Sequence, residues 1–157
     1  MARRMTVPAG ALLIVNDHIQ IALEIGADGV HLGQADAPIA EARQRSKFKK
    51  DFLIGISTHT IEQVERAVAA GADYIGFGPV YTTVTKTAPD QTTGLEKLTQ
   101  AVAAAGDVPV VAIGGITAET AAEVQSAGAA AACAIGAVNQ ARDPYTVARA
   151  IAEAWEK

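Results

Sequence analysis

The sequence has 157 residues, 50% hydrophobic, 19% charged and 4% aromatic. That is enough to bury one core and too little for two domains of ordinary size, so residues 1–157 are read as one domain. Thirteen basic side chains against seventeen acidic ones leave a formal charge of −4, which excludes a broad basic face for nucleic acid or anionic lipid. The single cysteine, Cys133, excludes an internal disulfide. Its setting among small apolar residues predicts a buried structural thiol in a reducing cytoplasm.

Arg3 and Arg4 precede an apolar stretch that Asn16 and Asp17 cut off before it reaches the length of a signal-peptide core. No later segment approaches the ~18 uninterrupted apolar residues of a membrane span, so a cytoplasmic protein is expected. From Ala11 onward, short β-rich apolar runs alternate with longer amphipathic ones, the mark of βα units around a parallel sheet. Strands are expected at Ala11–Val15, Gly29–Leu32, Phe52–Ile56, Asp73–Phe77, Val108–Ile113 and Ala130–Ile135. Helices are expected at His18–Ile25, Pro38–Arg45, Thr60–Ala70, Gly94–Ala105, Thr117–Ala127 and Asp143–Glu156, with Thr60 and Thr117 as N-caps and Pro38 in a first turn.

A phrase recurs where helix gives way to strand: Gly26-Ala27-Asp28, Gly71-Ala72-Asp73 and Gly128-Ala129-Ala130. Glycine there permits the left-handed residue that ends a helix, so the recurrence is read as a repeated αβ connection and not as a ligand motif. The basic run from Arg43 to Lys50 is read as a solvated helix end and turn.

In such an array the loops leaving the carboxyl ends of the strands share one face, and chemistry is sited there. Every expected strand exit carries polar groups or glycine: Asn16-Asp17, Gln34 and Asp36, Ser57 and His59, the long loop with Thr82, Thr83, Thr85 and Lys86, Gly114-Gly115, and Gly136 with Asn139. Asp17 and Asp36 offer two short carboxylates from neighbouring strand ends, which suits Mg²⁺ shared with phosphate oxygens. The same positions suit two helix N-caps. Thr83, Thr85 and Lys86 fit either a phosphate-holding loop or an ordinary polar one. Gly114-Gly115 fits a phosphate-binding approach or a simple turn. His31, between Val30 and Leu32, is expected to be a hydrogen-bonded interior residue. No Ser-His-Asp triad is read around Ser57 and His59.

Taken together in order, Ile14-Val15-Asn16-Asp17, Gly29-Val30-His31-Leu32-Gly33-Gln34-Ala35-Asp36, Gly55-Ile56-Ser57-Thr58-His59, Gly76-Phe77-Gly78-Pro79-Val80-Tyr81, Thr83-Val84-Thr85-Lys86 and Ala112-Ile113-Gly114-Gly115-Ile116 carry a resemblance. From Leu13 to Pro144 the chain resembles the thiamine-phosphate synthase family, within the superfamily that also holds thiazole tautomerases. The resemblance implies an α/β fold of the TIM (βα)8-barrel family, with six βα units in this chain. It implies a transferase that joins hydroxymethylpyrimidine diphosphate to thiazole phosphate and releases pyrophosphate. Asp17 and Asp36 would bind Mg²⁺, and Asn16, Ser57 and Lys86 would hold the pyrimidine diphosphate. Lys86 and Ser57 are the groups expected to act in catalysis, Lys86 by stabilising the departing pyrophosphate. Thr83, Val84, Thr85 and Gly115, with the backbone of Ile135 and Gly136, would hold the thiazole phosphate.

Thr82 stands where the family usually has proline, and Gly136 where it often has serine. A glutamine, arginine and lysine cluster supplied by the family's first two βα units has no counterpart between Met1 and Gly10. A closed eight-fold barrel takes about 250 residues, so two expectations stand side by side: a truncated barrel completed by another copy or by a partner chain, or a gene start set too far downstream. Two other readings of the same residues are a thiazole tautomerase-like isomerase and a catalytically silent phosphate-binding remnant. The paired aspartates and the Thr-Val-Thr-Lys loop speak against the isomerase, whose reaction needs no diphosphate-bound metal.

Overall fold

The computed structural model describes residues 2–83 and 91–156. Six parallel strands form one sheet in the order β1-β2-β3-β4-β5-β6: β1 Ile14–Asn16, β2 Gly29–Leu32, β3 Leu53–Thr58, β4 Tyr74–Phe77, β5 Val110–Ile113 and β6 Ala131–Cys133. The helices are α1 Ala2–Thr6, α2 Ile19–Glu24, α3 Ile39–Arg45, α4 Ile61–Ala69, α5 Gly94–Ala105, α6 Ala121–Ser126, α7 Gly136–Asn139 and α8 Pro144–Ala152, the last running into a 3-10 turn at Glu153–Trp155. All six expected strands form, most with ends shifted by one to three residues. α1 and α7 arise where the sequence showed no amphipathic period, because each is too short to display one.

Strand side chains alternate between the two faces. Val30, Leu32, Ile54, Ile75, Phe77 and Ala112 are fully buried on the face that the helices cover. The alternate positions, paired as His31↔Gly55, Gly55↔Tyr74, Ser57↔Gly76 and Ile113↔Cys133, form the inner face. α4 shows why the covering helices form. Thr60 accepts a hydrogen bond from the Gln63 amide, and Val64 and Ala67 turn one apolar stripe into the core. At Gly71, φ is +80°, the left-handed residue that ends α4.

The recurring phrase is a structural device at the amino end of the sheet. Asp28 accepts from the Leu13 amide and pairs with Arg3. Asp73 accepts from the Ile54 amide at 2.6 Å and pairs with Arg43 at 2.8 Å. Each carboxylate thus ties the start of one strand to its predecessor and to an arginine from a helix. The reading of Arg43–Lys50 as merely solvated is corrected here. Arg43 also donates to the carbonyls of Phe52 and Gly71, and Lys49 donates to the carbonyl of Ala27, so the run pins loops together.

Three further expectations change. Thr117 does not cap α6; its amide donates to the Thr120 hydroxyl at 3.0 Å, and Thr120 occupies the N-cap. Pro38 precedes the first turn of α3 as its N-cap. Cys133 is exposed, not buried. It lies on β6, which pairs only with β5, and at the inner-face register of Ile113. The thiol itself is partly shielded, and that burial raises its pKa.

Candidate functional site

β1 ends at Asn16, and the chain turns at once: Asp17 takes φ +62°, a conformation that a short aspartate tolerates better than most residues. Its amide donates to the His31 carbonyl at 2.8 Å, which holds the turn against β2. After β2, Asp36 closes a tight turn by accepting from the Gly33 amide at 2.7 Å. Neither aspartate caps a helix, since the N-caps of α2 and α3 are His18 and Pro38. The two carboxylates interact with one another. Asp17 is exposed, but partial desolvation of its carboxylate, then hydrogen bonding to Asp36 and repulsion from its charge, raise its pKa.

This pair fits a divalent cation. The neighbouring Asp36 carboxylate raises the proton affinity of Asp17, and a cation relieves the same repulsion as a proton does. Among the described residues no group of three or more His, Cys, Asp or Glu converges. Two carboxylates with the remaining positions left to water and phosphate oxygens match the habit of Mg²⁺.

Beside this corner, β2, β3 and β4 carry a connected polar group on the inner face. His31 Nδ1 lies 3.0 Å from Tyr74 Oη and Nε2 lies 2.9 Å from Ser57 Oγ. The rings of His31 and Tyr74 stack with centroids 5.4 Å apart. Gln34 donates from Nε2 to the Ser57 carbonyl at 2.7 Å, tying the exit of β2 to that of β3. Two strand glycines make the room. A Cβ on Gly55 would sit 2.0 Å from Tyr74 Cζ, and one on Gly76 would sit 3.1 Å from His31 Cε1. Inward-facing glycines in neighbouring strands were the available signal for this network; the sequence reading took His31 as interior and missed Tyr74.

Burial lowers the His31 pKa, so its imidazole is neutral at pH 7. Burial also pushes the Tyr74 hydroxyl up, to about 12 from an ordinary value of 10.0. An acid whose folded pKa is raised stays protonated longer folded than unfolded. Its contribution to stability is present in full below pH 10.0 and is lost as pH rises through about 12. Urea melts between these limits are expected to show stability falling more steeply in the wild type than in Tyr74→Phe; parallel slopes would refute the shift.

The far side of the site is built where the exits of β4 and β5 meet. The Val80 and Tyr81 amides donate to the carbonyls of Ile113 and Gly114 at 2.9 and 3.1 Å. The other foot of the same loop returns through the Thr93 and Gly94 amides to the carbonyls of Pro79 and Val80. Gly114 and Gly115 take φ +87° and +69°. A Cβ on Gly115 would lie 2.7 Å from the Thr82 carbonyl oxygen and from Tyr81 Cβ, so backbone packs on backbone. Tyr81 Oη donates to Glu123 on α6 at 3.0 Å.

Asn16, Asp17, Asp36, Ser57, Thr83 and Gly115 therefore all stand at the carboxyl ends of β1 to β5. Ile135 and Gly136 follow β6, with Gly136 opening α7. Val84, Thr85 and Lys86 lie outside the described residues. His59 belongs to the β3 exit, its amide donating to Gln63 Oε1 at 2.6 Å; it shares no hydrogen bond with Ser57.

The chain is similar in sequence and fold to known proteins. A family model described as thiamine monophosphate synthase matches residues 1–138. The chain is 43% identical over 145 residues to a thiamine-phosphate synthase of Bacillus velezensis, a match that covers 92% of this chain and 63% of that protein. It is 51% identical over 127 residues to one from Caldicellulosiruptor saccharolyticus, covering 81% and 56%. The chain thus spans under two thirds of the length of these relatives. A solved thiamine phosphate pyrophosphorylase from Pyrococcus furiosus superposes with a TM-score of 0.86 at 35% identity, covering 98% of this chain and 72% of that one. A 3-hexulose-6-phosphate synthase, at 24% identity and a TM-score of 0.74, shares the fold.

Proposed function

Because the chain belongs to the thiamine monophosphate synthase family, we propose that its rim carries a thiamine-phosphate synthase site, joining hydroxymethylpyrimidine diphosphate to thiazole phosphate with release of pyrophosphate. The observation that carries this reading is the meeting of Asp17 and Asp36 at one corner of the rim, a donor set suited to a diphosphate-bound Mg²⁺. When bound, Mg²⁺ would supply charge neutralisation for the departing pyrophosphate.

The chain's own residues supply position and polarity. Asn16 and Ser57 flank the pyrimidine end, and Lys86 is assigned to the diphosphate. The C–O bond to the pyrimidine methylene breaks with its electron pair leaving on pyrophosphate. The thiazole nitrogen lone pair then forms the new C–N bond. No proton has to move at that step, so the chemistry needs no general-base histidine. Gly115, Thr83, Val84 and Thr85, with the Ile135–Gly136 backbone, are assigned to the thiazole phosphate, whose charge suits N–H groups at close approach.

Titration of hydroxymethylpyrimidine diphosphate by calorimetry tests the reading. Binding is expected with Mg²⁺ and not with a chelator; equal affinity in both would refute the metal corner. Among the described residues no helix is long and apolar enough to cross a membrane, which is compatible with a cytoplasmic enzyme. Among the described residues, β1 and β6 each have one strand neighbour. We propose that these edges pair with further βα units, from a second copy or a partner chain, as open edges favour. Light scattering on the eluting peak is expected to report a mass above that of one chain, and a sharp monomer peak would count against it.

A further inference from the structure

The inner-face network has two possible proton orders, and they differ in what Ser57 can offer a ligand. A neutral imidazole has one donor and one acceptor nitrogen, while a hydroxyl donates once and accepts twice. In the first order Tyr74 donates to His31 Nδ1, His31 Nε2–H donates to Ser57 Oγ, and the Ser57 proton is left over. In the second Ser57 donates to Nε2, Nδ1–H donates to Tyr74 Oη, and the Tyr74 proton is left over. Among the described residues the Tyr74 hydroxyl has no hydrogen-bond partner other than His31, and its ring is wedged over Gly55. Tyr74 is half-buried and its hydroxyl is desolvated enough to raise its pKa, so the second order would leave a partly desolvated donor with no partner among the described residues, at a cost that the first avoids. Ser57 Oγ, near the carboxyl end of β3, has only His31 as partner among the described residues.

We propose that His31 and Tyr74 are positioning residues that fix the proton order of Ser57, so that its hydroxyl is presented as a donor to an acceptor atom of the pyrimidine-bearing substrate. The stacked rings and the two short contacts on opposite nitrogens leave the imidazole little freedom to flip. Gly55 and Gly76 are the structural condition for the relay, because a side chain at either would displace one of its rings. The proposal rests on the reading of Ser57 as a substrate contact; the proton order itself does not.

The test separates the two. Long-range ¹H–¹⁵N correlation spectra of ¹⁵N-histidine-labelled chain at neutral pH report each ring's tautomer, and the His31→Gln variant identifies which of the three histidine signals is His31. His31 is expected as the neutral Nε2–H tautomer; an Nδ1–H ring, or an imidazolium, overturns the proposal. In Tyr74→Phe the acceptor at Nδ1 loses its partner. The ring is expected to populate both tautomers, and affinity for hydroxymethylpyrimidine diphosphate to fall about threefold to tenfold, the worth of one ordered hydrogen bond. Affinity for thiazole phosphate is expected to stay unchanged. Loss of both affinities, or of neither, overturns the positioning role. Ser57→Ala with undiminished diphosphate affinity would refute the substrate contact even where the tautomer is as expected.

Discussion

Asp17→Asn is expected to lower the coupling rate by on the order of a hundredfold or more, with the fold intact. The residue is exposed and buries no apolar surface, and its amide bond to the His31 carbonyl comes from the backbone, which the substitution leaves in place. Asparagine tolerates the positive φ of this turn as aspartate does. What changes is charge. One of two carboxylates that meet at the corner becomes neutral, and the site loses half of its attraction for a divalent cation. Rate measurements over a range of Mg²⁺ concentrations, with circular dichroism as a check on folding, decide the matter. A variant that retains wild-type turnover at the same Mg²⁺ concentration removes Asp17 from the metal site. Asp36→Asn is a less clean probe, because its carboxylate also closes the turn at Gly33.

Gly115→Ala is expected to weaken thiazole phosphate binding by about tenfold to a hundredfold and to leave Mg²⁺-dependent diphosphate binding close to that of the wild type. Two costs coincide. The residue sits at φ +69°, where an L side chain is disfavoured by about 1–2 kcal/mol. The added methyl would also meet the Thr82 carbonyl and Tyr81 Cβ at 2.7 Å, and such crowding typically costs about 1–3 kcal/mol. The backbone at the junction of the β4 and β5 exits must shift, and the N–H groups there lose their aim. Separate titrations of the two substrates read the effect. Equal loss of both would mean a general unfolding of the rim, and loss of neither would remove Gly115 from the phosphate site.

The two substitutions probe opposite sides of one rim, and their separation has a structural basis. The corner proposed for the metal is fixed by turns after β1 and β2, and the side proposed for the phosphate by the docking of the β4 loop on Gly114. Between them lies the Ser57, His31 and Tyr74 group on β2 to β4. At the other end of the sheet, Asp28 and Asp73 tie successive strands to arginines. The repeated Gly-Ala-Asp phrase is therefore part of the scaffold and stands apart from the chemistry.

The amino-acid sequence by itself determined the alternation of strands and helices, because apolar period is a local property that survives in a one-dimensional reading. It also determined which residues leave the strands at their carboxyl ends, since strand direction follows from chain direction in a parallel sheet. Asp17, Asp36, Ser57 and Gly115 were legible for that reason. Only the tertiary structure decided what lies across strands. That Tyr74 reaches His31 over Gly55 depends on register, which no local window contains. That Thr120 and not Thr117 stands at the N-cap position of α6 depends on how the loop after Gly115 folds back. The exposure of Cys133 depends on β6 having a single neighbour. In each case the deciding energy is a contact between residues distant in sequence or a turn set by such contacts, and composition and period carry no record of it.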